Sequence, residues 1–244
     1  MTDTSGDFGG AAVVVGASGG LGGALVAALA EGGRYARVHA LSRSAAALPP
    51  NVAAHRVDLT DEATIAAAAQ AIGAEGPVAL VVVATGLLHA DGLAPEKAFR
   101  DLDPAVMARL FAVNAVGPAL VAKHVLPLLP RRGRAVFAAL SARVGSIGDN
   151  RLGGWYGYRA SKAALNQLVR TLAIELARTR PEAAIVGLHP GTVATGLSRP
   201  FRGEGDAGVF TPREGADHLL RVLDGVGPAQ SGRLLAWDGS TIPP

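Results

Sequence analysis

The chain has 244 residues, 49% of them hydrophobic, a formal charge of +3 and no cysteine. That length and apolar content allow one large α/β domain with a substantial core. The missing cysteine excludes disulfides, thiolate metal sites and cysteine nucleophiles and fits a reducing, cytoplasmic setting.

The 23 Arg and Lys are spread along the chain without a basic block or interleaved aromatics, so nucleic acid is not expected as a partner. The polar start MTDTSGDFGG lacks the basic-then-apolar pattern of a leader, and residues 1–9 read as a flexible N-terminus. No uninterrupted apolar run approaches the ~20 residues of a bilayer span, so no membrane is expected either. Acids and histidines show no ligand spacing, and no metal is expected.

In chain order, Ala11 to Val15 is continuously apolar and β-branched, as in a strand buried on both faces of a parallel sheet. The turn Gly16-Ala17-Ser18-Gly19-Gly20-Leu21-Gly22 follows at once and leads into a helix over 21–31. Strand, glycine turn and helix N-terminus together suit a phosphate: free backbone N–H groups, no Cβ in the way and a favourable dipole. A second strand over 37–41 ends in Ser42-Arg43. With no acid there for a ribose 2′-hydroxyl and Arg43 placed to meet a 2′-phosphate, NADP is favoured over NAD.

A third strand covers 52–57 and is followed by Asp58-Leu59; Thr60-Asp61-Glu62 then opens an alanine-rich helix. The fourth strand, 77–84, runs into Thr85-Gly86. Asp103-Pro104 is a cap followed by proline at the first helical position. The helix it begins is apolar, carries Asn114 in its middle, and is expected to kink near Gly117-Pro118. A buried amide there is explained either by a satisfied core hydrogen bond or by a role in the site. A fifth strand over 134–140 leads to Ser141, a sixth over 183–188 to His189-Pro190-Gly191-Thr192, and a seventh covers 233–237. Residues 198–210 are rich in glycine and proline without periodicity, which predicts a mobile flap. Thr211 to Glu214 has the capping-box pattern of a last helix.

The chemistry centres on Tyr158 and Lys162, one turn apart if the segment through Leu176 is helical, as its apolar steps of three and four suggest. An ammonium beside a phenol favours the phenolate and tunes the tyrosine as a general acid or base. Two surface residues on an amphipathic helix would share the spacing. Lysine is scarce, however, with Lys97, Lys123 and Lys162 set against 20 arginines, and lysine is the tunable charge.

The glycine turn, Asp58, Asn114, the Ser141 region, Tyr158 with Lys162, and Pro190-Gly191 occur in an order that resembles the short-chain dehydrogenase/reductase family over nearly the whole chain. Arg143-Val144-Gly145-Ser146-Ile147, His189-Pro190-Gly191-Thr192 and the ending Ala236 to Ser240 look like its C-factor-like branch. The resemblance implies one Rossmann-type, doubly wound α/β domain, with a seven-stranded parallel sheet and helices on both faces. It implies Tyr158 as acid or base, Lys162 on the nicotinamide ribose, and Asn114 helping to hold a relay water. Gly16, Ser18, Gly20, Leu21 and Gly22 would line the cofactor, with Ser42 and Arg43 at its 2′-phosphate and Asp58 and Leu59 at the adenine. Ala84, Thr85 and Gly86 would follow the fourth strand, and Pro190, Gly191 and Thr192 would flank the nicotinamide.

Two departures stand out. Val83-Ala84-Thr85-Gly86 replaces the family's Asn-Asn-Ala-Gly, and Ala142 stands where the catalytic serine belongs. Ser141 is the preferred substitute and Ser146 the other. The expected function is an NADP-dependent oxidoreductase moving a hydride between nicotinamide and a small carbonyl or alcohol substrate. A dinucleotide-binding regulatory protein with little turnover is the alternative. The family also leads to the expectation of a homodimer or homotetramer. The 143–156 loop, His89, Trp155, Phe201 and the 198–210 flap are expected to form the substrate mouth.

Overall fold

The computed structural model describes residues 9–44, 48–90, 92–202 and 205–244; the expected flexible N-terminus therefore lies almost wholly outside the described residues. The chain alternates strand and helix: β1 (Ala11–Val15), α1 (Gly20–Gly32), β2 (Arg37–Ser42), β3 (Val52–Arg56), α2 (Glu62–Glu75), β4 (Val78–Val83), α3 (Pro104–Phe111), α4 (Gly117–Val125), β5 (Ala135–Leu140), α5 (Tyr156–Leu176) and β6 (Ala183–His189). Short β7 (Thr192–Val193) and β8 (Val209–Phe210) precede α6 (Pro212–Asp224), β9 (Leu234–Ala236) and β10 (Thr241–Ile242).

The main sheet has the order β10-β9-β6-β5-β4-β1-β2-β3. Every pairing in it is parallel except β9 with β10. It is thus eight-stranded and not seven-stranded as expected. The extra strand is two residues that fold back after the turn at Gly239, too short for any periodicity to reveal. The central strands β1, β4 and β5 are buried at every position, because both sheet faces are covered. On one face Val13, Val81 and Phe137 pack with Ile65 of α2, Val121 of α4 and Leu165 of α5. On the other, Val14, Val82 and Val136 pack with Leu25 of α1 and Leu219 of α6. The strand order reverses between β1 and β4, so a crevice opens at their carboxyl ends.

Helix starts follow local chemistry. Asp103 accepts from the N–H groups of Ala105 and Val106, and Thr211 and Glu214 close a reciprocal capping box. The expected kink is instead a π-turn over Ala112–Val116 that joins α3 to α4 and carries Asn114. Gly117 ends it where a Cβ would come within 2.7 Å of Leu59. The continuous helical stretch Pro104–Leu128 is long and apolar enough to cross a membrane by length and composition alone. In the fold it packs against the sheet, α2 and α5, which accounts for its apolar face.

Candidate active site

The carboxyl ends of β1, β4, β5 and β6 surround a cleft of about 640 Å³. Its cofactor side is built by the first turn of the chain. Gly16 has φ +92°, and its N–H and that of Ala17 donate to the Leu41 carbonyl at 2.7 and 3.1 Å. A Cβ on Gly22 would lie 2.1 Å from the Gly16 carbonyl oxygen, so only glycine lets α1 start this close to the turn. Gly19, Gly20, Leu21 and Gly22 line the cleft, facing Ala84, Thr85 and Gly86. The hydroxyl of Thr85 is buried there without a partner. A bare helix N-terminus, a cradle that a Cβ would fill and an orphaned hydroxyl fit a bound dinucleotide phosphate.

Ser18 is exposed beside this turn. Ser42 and Arg43 sit at the end of β2, outside the cleft lining, and Ser42 Oγ donates to the Ser44 carbonyl at 2.6 Å. Asp58 accepts from the N–H and hydroxyl of Thr60, which hold its carboxyl below the usual range, with the Arg43 and Arg56 guanidinium groups adding to the effect. Arg43 and Asp58 therefore stand together at the far end of the crevice. Leu59 is buried against Gly117.

Tyr158 and Lys162 lie on the first turns of α5, buried and facing the cleft. Lys162 Nζ donates to the Leu140 carbonyl at 2.8 Å and sits 5.8 Å from the centroid of the Tyr158 ring. Burial pushes Tyr158 up to about 12 and Lys162 down to about 8. Desolvation of the ring is the cause for Tyr158, opposite in direction to what a neighbouring ammonium alone predicts, and it favours the protonated phenol. That state suits an acid delivering a proton to a substrate oxygen.

Asn114 braces the site. Its amide donates to the Leu87 carbonyl at 2.8 Å and to Ser161 Oγ at 3.0 Å, while its oxygen accepts from Leu87 N–H at 2.8 Å. These bonds join the loop after β4 to α5. Ser141 lines the cleft, but its hydroxyl donates to Asn166 Oδ1 at 2.6 Å. Ser146 is buried away from the cleft lining, between the Pro244 carbonyl and the Asp149 N–H. Ala142 does face the cleft.

Pro190, Gly191 and Thr192 form the opposite lip. Gly191 has φ +73°, with the Phe210 and Trp237 rings where a Cβ would go. His189, also in the lining, was not singled out for the site from the sequence. Burial pushes it down to about 4, with the Arg143 guanidinium acting the same way, and its Nδ1 is buried without a partner. The aromatic wall comprises Trp155 and Phe201, whose ring centroids are 5.1 Å apart. His89 stands behind this wall and outside the cleft lining, its Nε2 bonded to the carbonyls of Gly196 and Leu197 at 3.0 and 3.2 Å. The segment expected to be a flap is tied down at its far end, where β8 pairs with β7; residues 203 and 204 lie outside the described residues.

Residues 10–205 match the short chain dehydrogenase family. The chain is 41% identical over 147 residues to C-signal of Myxococcus xanthus, a match covering 60% of this chain and 83% of that one. It is 32% identical over 186 residues to 1-hydroxy-2-glutathionyl-2-methyl-3-butene dehydrogenase of Rhodococcus sp. (strain AD45), covering 76% and 77%. The NADPH-bound carbonyl reductase from chicken fatty liver shares its fold with a TM-score of 0.85 at 25% identity, over 98% of this chain and 96% of that one. Sheet order, glycine turn, tyrosine–lysine pair and these matches lead to one conclusion: the chain belongs to the short-chain dehydrogenase family of oxidoreductases.

Proposed function

We propose that the protein is an NADP-dependent reductase of small or medium carbonyl compounds, with Tyr158 as the general acid. The observation that carries this reading is the buried Tyr158 phenol, with Lys162 Nζ 5.8 Å from its ring centroid, in the same cleft as the glycine turn of α1. A nicotinamide dinucleotide bound there would supply the hydride for the carbonyl carbon. Tyr158 gives its proton to the carbonyl oxygen, leaving the alcohol. Lys162, partly neutral near pH 8, holds the end of β5 through the Leu140 carbonyl and stands ready for a ribose hydroxyl. Asn114 keeps the loop over 85–87 against α5; with its amide already engaged, its main chain is the part left for a relay water. Arg43, with no acid beside it on β2, supports a 2′-phosphate and hence NADP. The NADPH-bound state of the chicken carbonyl reductase points the same way. A cytoplasmic homodimer or homotetramer completes the reading.

Ala142 favours a second reading, a dinucleotide-binding regulatory protein with little turnover. It puts a methyl group where the family's serine would polarise the substrate, and C-signal is among the relatives. Fluorescence titration with NADPH and NADH, followed by nicotinamide absorbance over a panel of ketones and aldehydes for wild type and Y158F, separates the two. Tight NADPH binding with turnover that Y158F abolishes supports the reductase. Tight binding without turnover on any carbonyl supports the regulatory reading, and binding of neither nucleotide overturns both.

A further inference from the structure

The helix that carries Tyr158 begins without a cap of its own. Trp155 occupies the N-cap position, offers no side-chain hydrogen bond and has φ 53°, the only positive φ outside glycine among the described residues. The first turn of α5 contains no acid. A bulky residue in the left-handed region is strained and persists only when its surroundings hold it.

What holds it is Glu96, from the loop after β4. The Glu96 carbonyl accepts the Trp155 N–H at 2.6 Å, and its carboxylate accepts the Gly157 N–H at 3.1 and 3.2 Å. Glu96 is only 4% exposed and forms no ion pair among the described residues. A buried carboxylate with no cation is costly, and the positive end of a helix is one of the few settings that offset it. The fit is tight: a Cβ on Gly157 would lie 2.8 Å from the carboxylate and 2.7 Å from Leu110. The two residues fixed in this way flank the chemistry, for Trp155 packs edge-on to Tyr158 and forms the aromatic wall with Phe201.

We infer that Glu96 is a positioning residue: its carboxylate caps α5 from outside the helix and thereby sets where Tyr158 and Trp155 stand in the cleft. The catalytic part of this inference rests on Tyr158 being the acid; the cap itself does not. Because small displacements of a reacting group are costly, E96A should lower kcat by about 10- to 100-fold. NADPH affinity should change less than kcat, since the glycine turn lies on β1 and α1 and α5 would meet the cofactor only through Tyr158 and Lys162. E96Q keeps an acceptor oxygen at the same reach and should restore most of the lost kcat. E96D retains the charge but draws it back by one methylene; it should behave as E96A does, and replaces it should E96A fail to fold.

The second readout is the emission of Trp155 in a W237F background, where it is the sole tryptophan. E96A and E96D should shift it and E96Q should leave it in place. Unchanged kcat and emission in E96A and E96D would overturn the inference, and so would E96Q as impaired as E96A, which would make charge and not placement the cause. If wild type turns over no carbonyl, the proposed function fails, while the emission comparison still decides the cap.

Discussion

The Ser141 hydroxyl donates to Asn166 Oδ1 at 2.6 Å, so the only serine proton at the end of β5 points into α5 while the methyl of Ala142 faces the cleft. A donated bond from Ser141 to a substrate oxygen would require breaking that pair. S141A should therefore cost far less than the roughly 10²–10³ in kcat typical of a lost oxyanion donor. A142S places a hydroxyl in the cleft and should raise kcat by about 10-fold or more. Steady-state kinetics on the best carbonyl of the panel check both. A fall in kcat by S141A to the level of Y158F would show that the Asn166 bond opens during turnover.

Lys162 carries a cost of folding that its chemistry explains. Its value is about 8 in the folded chain against 10.5 for an ordinary lysine. As pH falls from 10.5 to 8 the unfolded chain takes up a proton that the folded one declines, so stability drops over that window and stays reduced below it. K162M should remove a penalty of about 3 kcal/mol, less about 1 kcal/mol for the donor lost to Leu140. The net gain of about 2 kcal/mol should be full at pH 7 and fade towards pH 10.5, while turnover is abolished. Denaturant unfolding of both proteins across that range measures it.

His189 acts on the acid side. Its depressed value, about 4 against 6.5, means that the unfolded chain gains a proton first as pH falls, and stability is lost between those limits. The ring is half-buried, so solvent screening reduces the effect to about 1–2 kcal/mol. H189N should flatten the fall in stability over this window. Equal slopes for the two proteins would show that His189 titrates normally.

On the proposed reading, Arg43 sets the choice of cofactor. A charged hydrogen bond to a 2′-phosphate contributes about 1.5–3 kcal/mol. R43A should therefore weaken NADPH binding by about 10-fold or more and leave NADH unchanged. Equal loss for both nucleotides in the fluorescence titration would remove Arg43 from the 2′-position.

Much of this molecule can be read from local patterns. The buried runs 11–15, 78–83 and 135–140, the glycine turn and the spacing of Tyr158 and Lys162 each follow from chain geometry within a few residues, and so predict the doubly wound sheet and one wall of the cleft. What tertiary structure alone decided are competitions between groups distant in sequence. Burial of its ring in the cleft raised Tyr158 where the neighbouring ammonium predicted the reverse. Asn166, 25 residues on, took the proton of Ser141. Glu96, 61 residues before Gly157, gave α5 the cap that its own sequence lacks. The final two-residue strand arose only because β9 offered an open edge to pair with. Residue spacing determines which groups share a face; desolvation and hydrogen-bond partners are set by what the folded chain brings against that face.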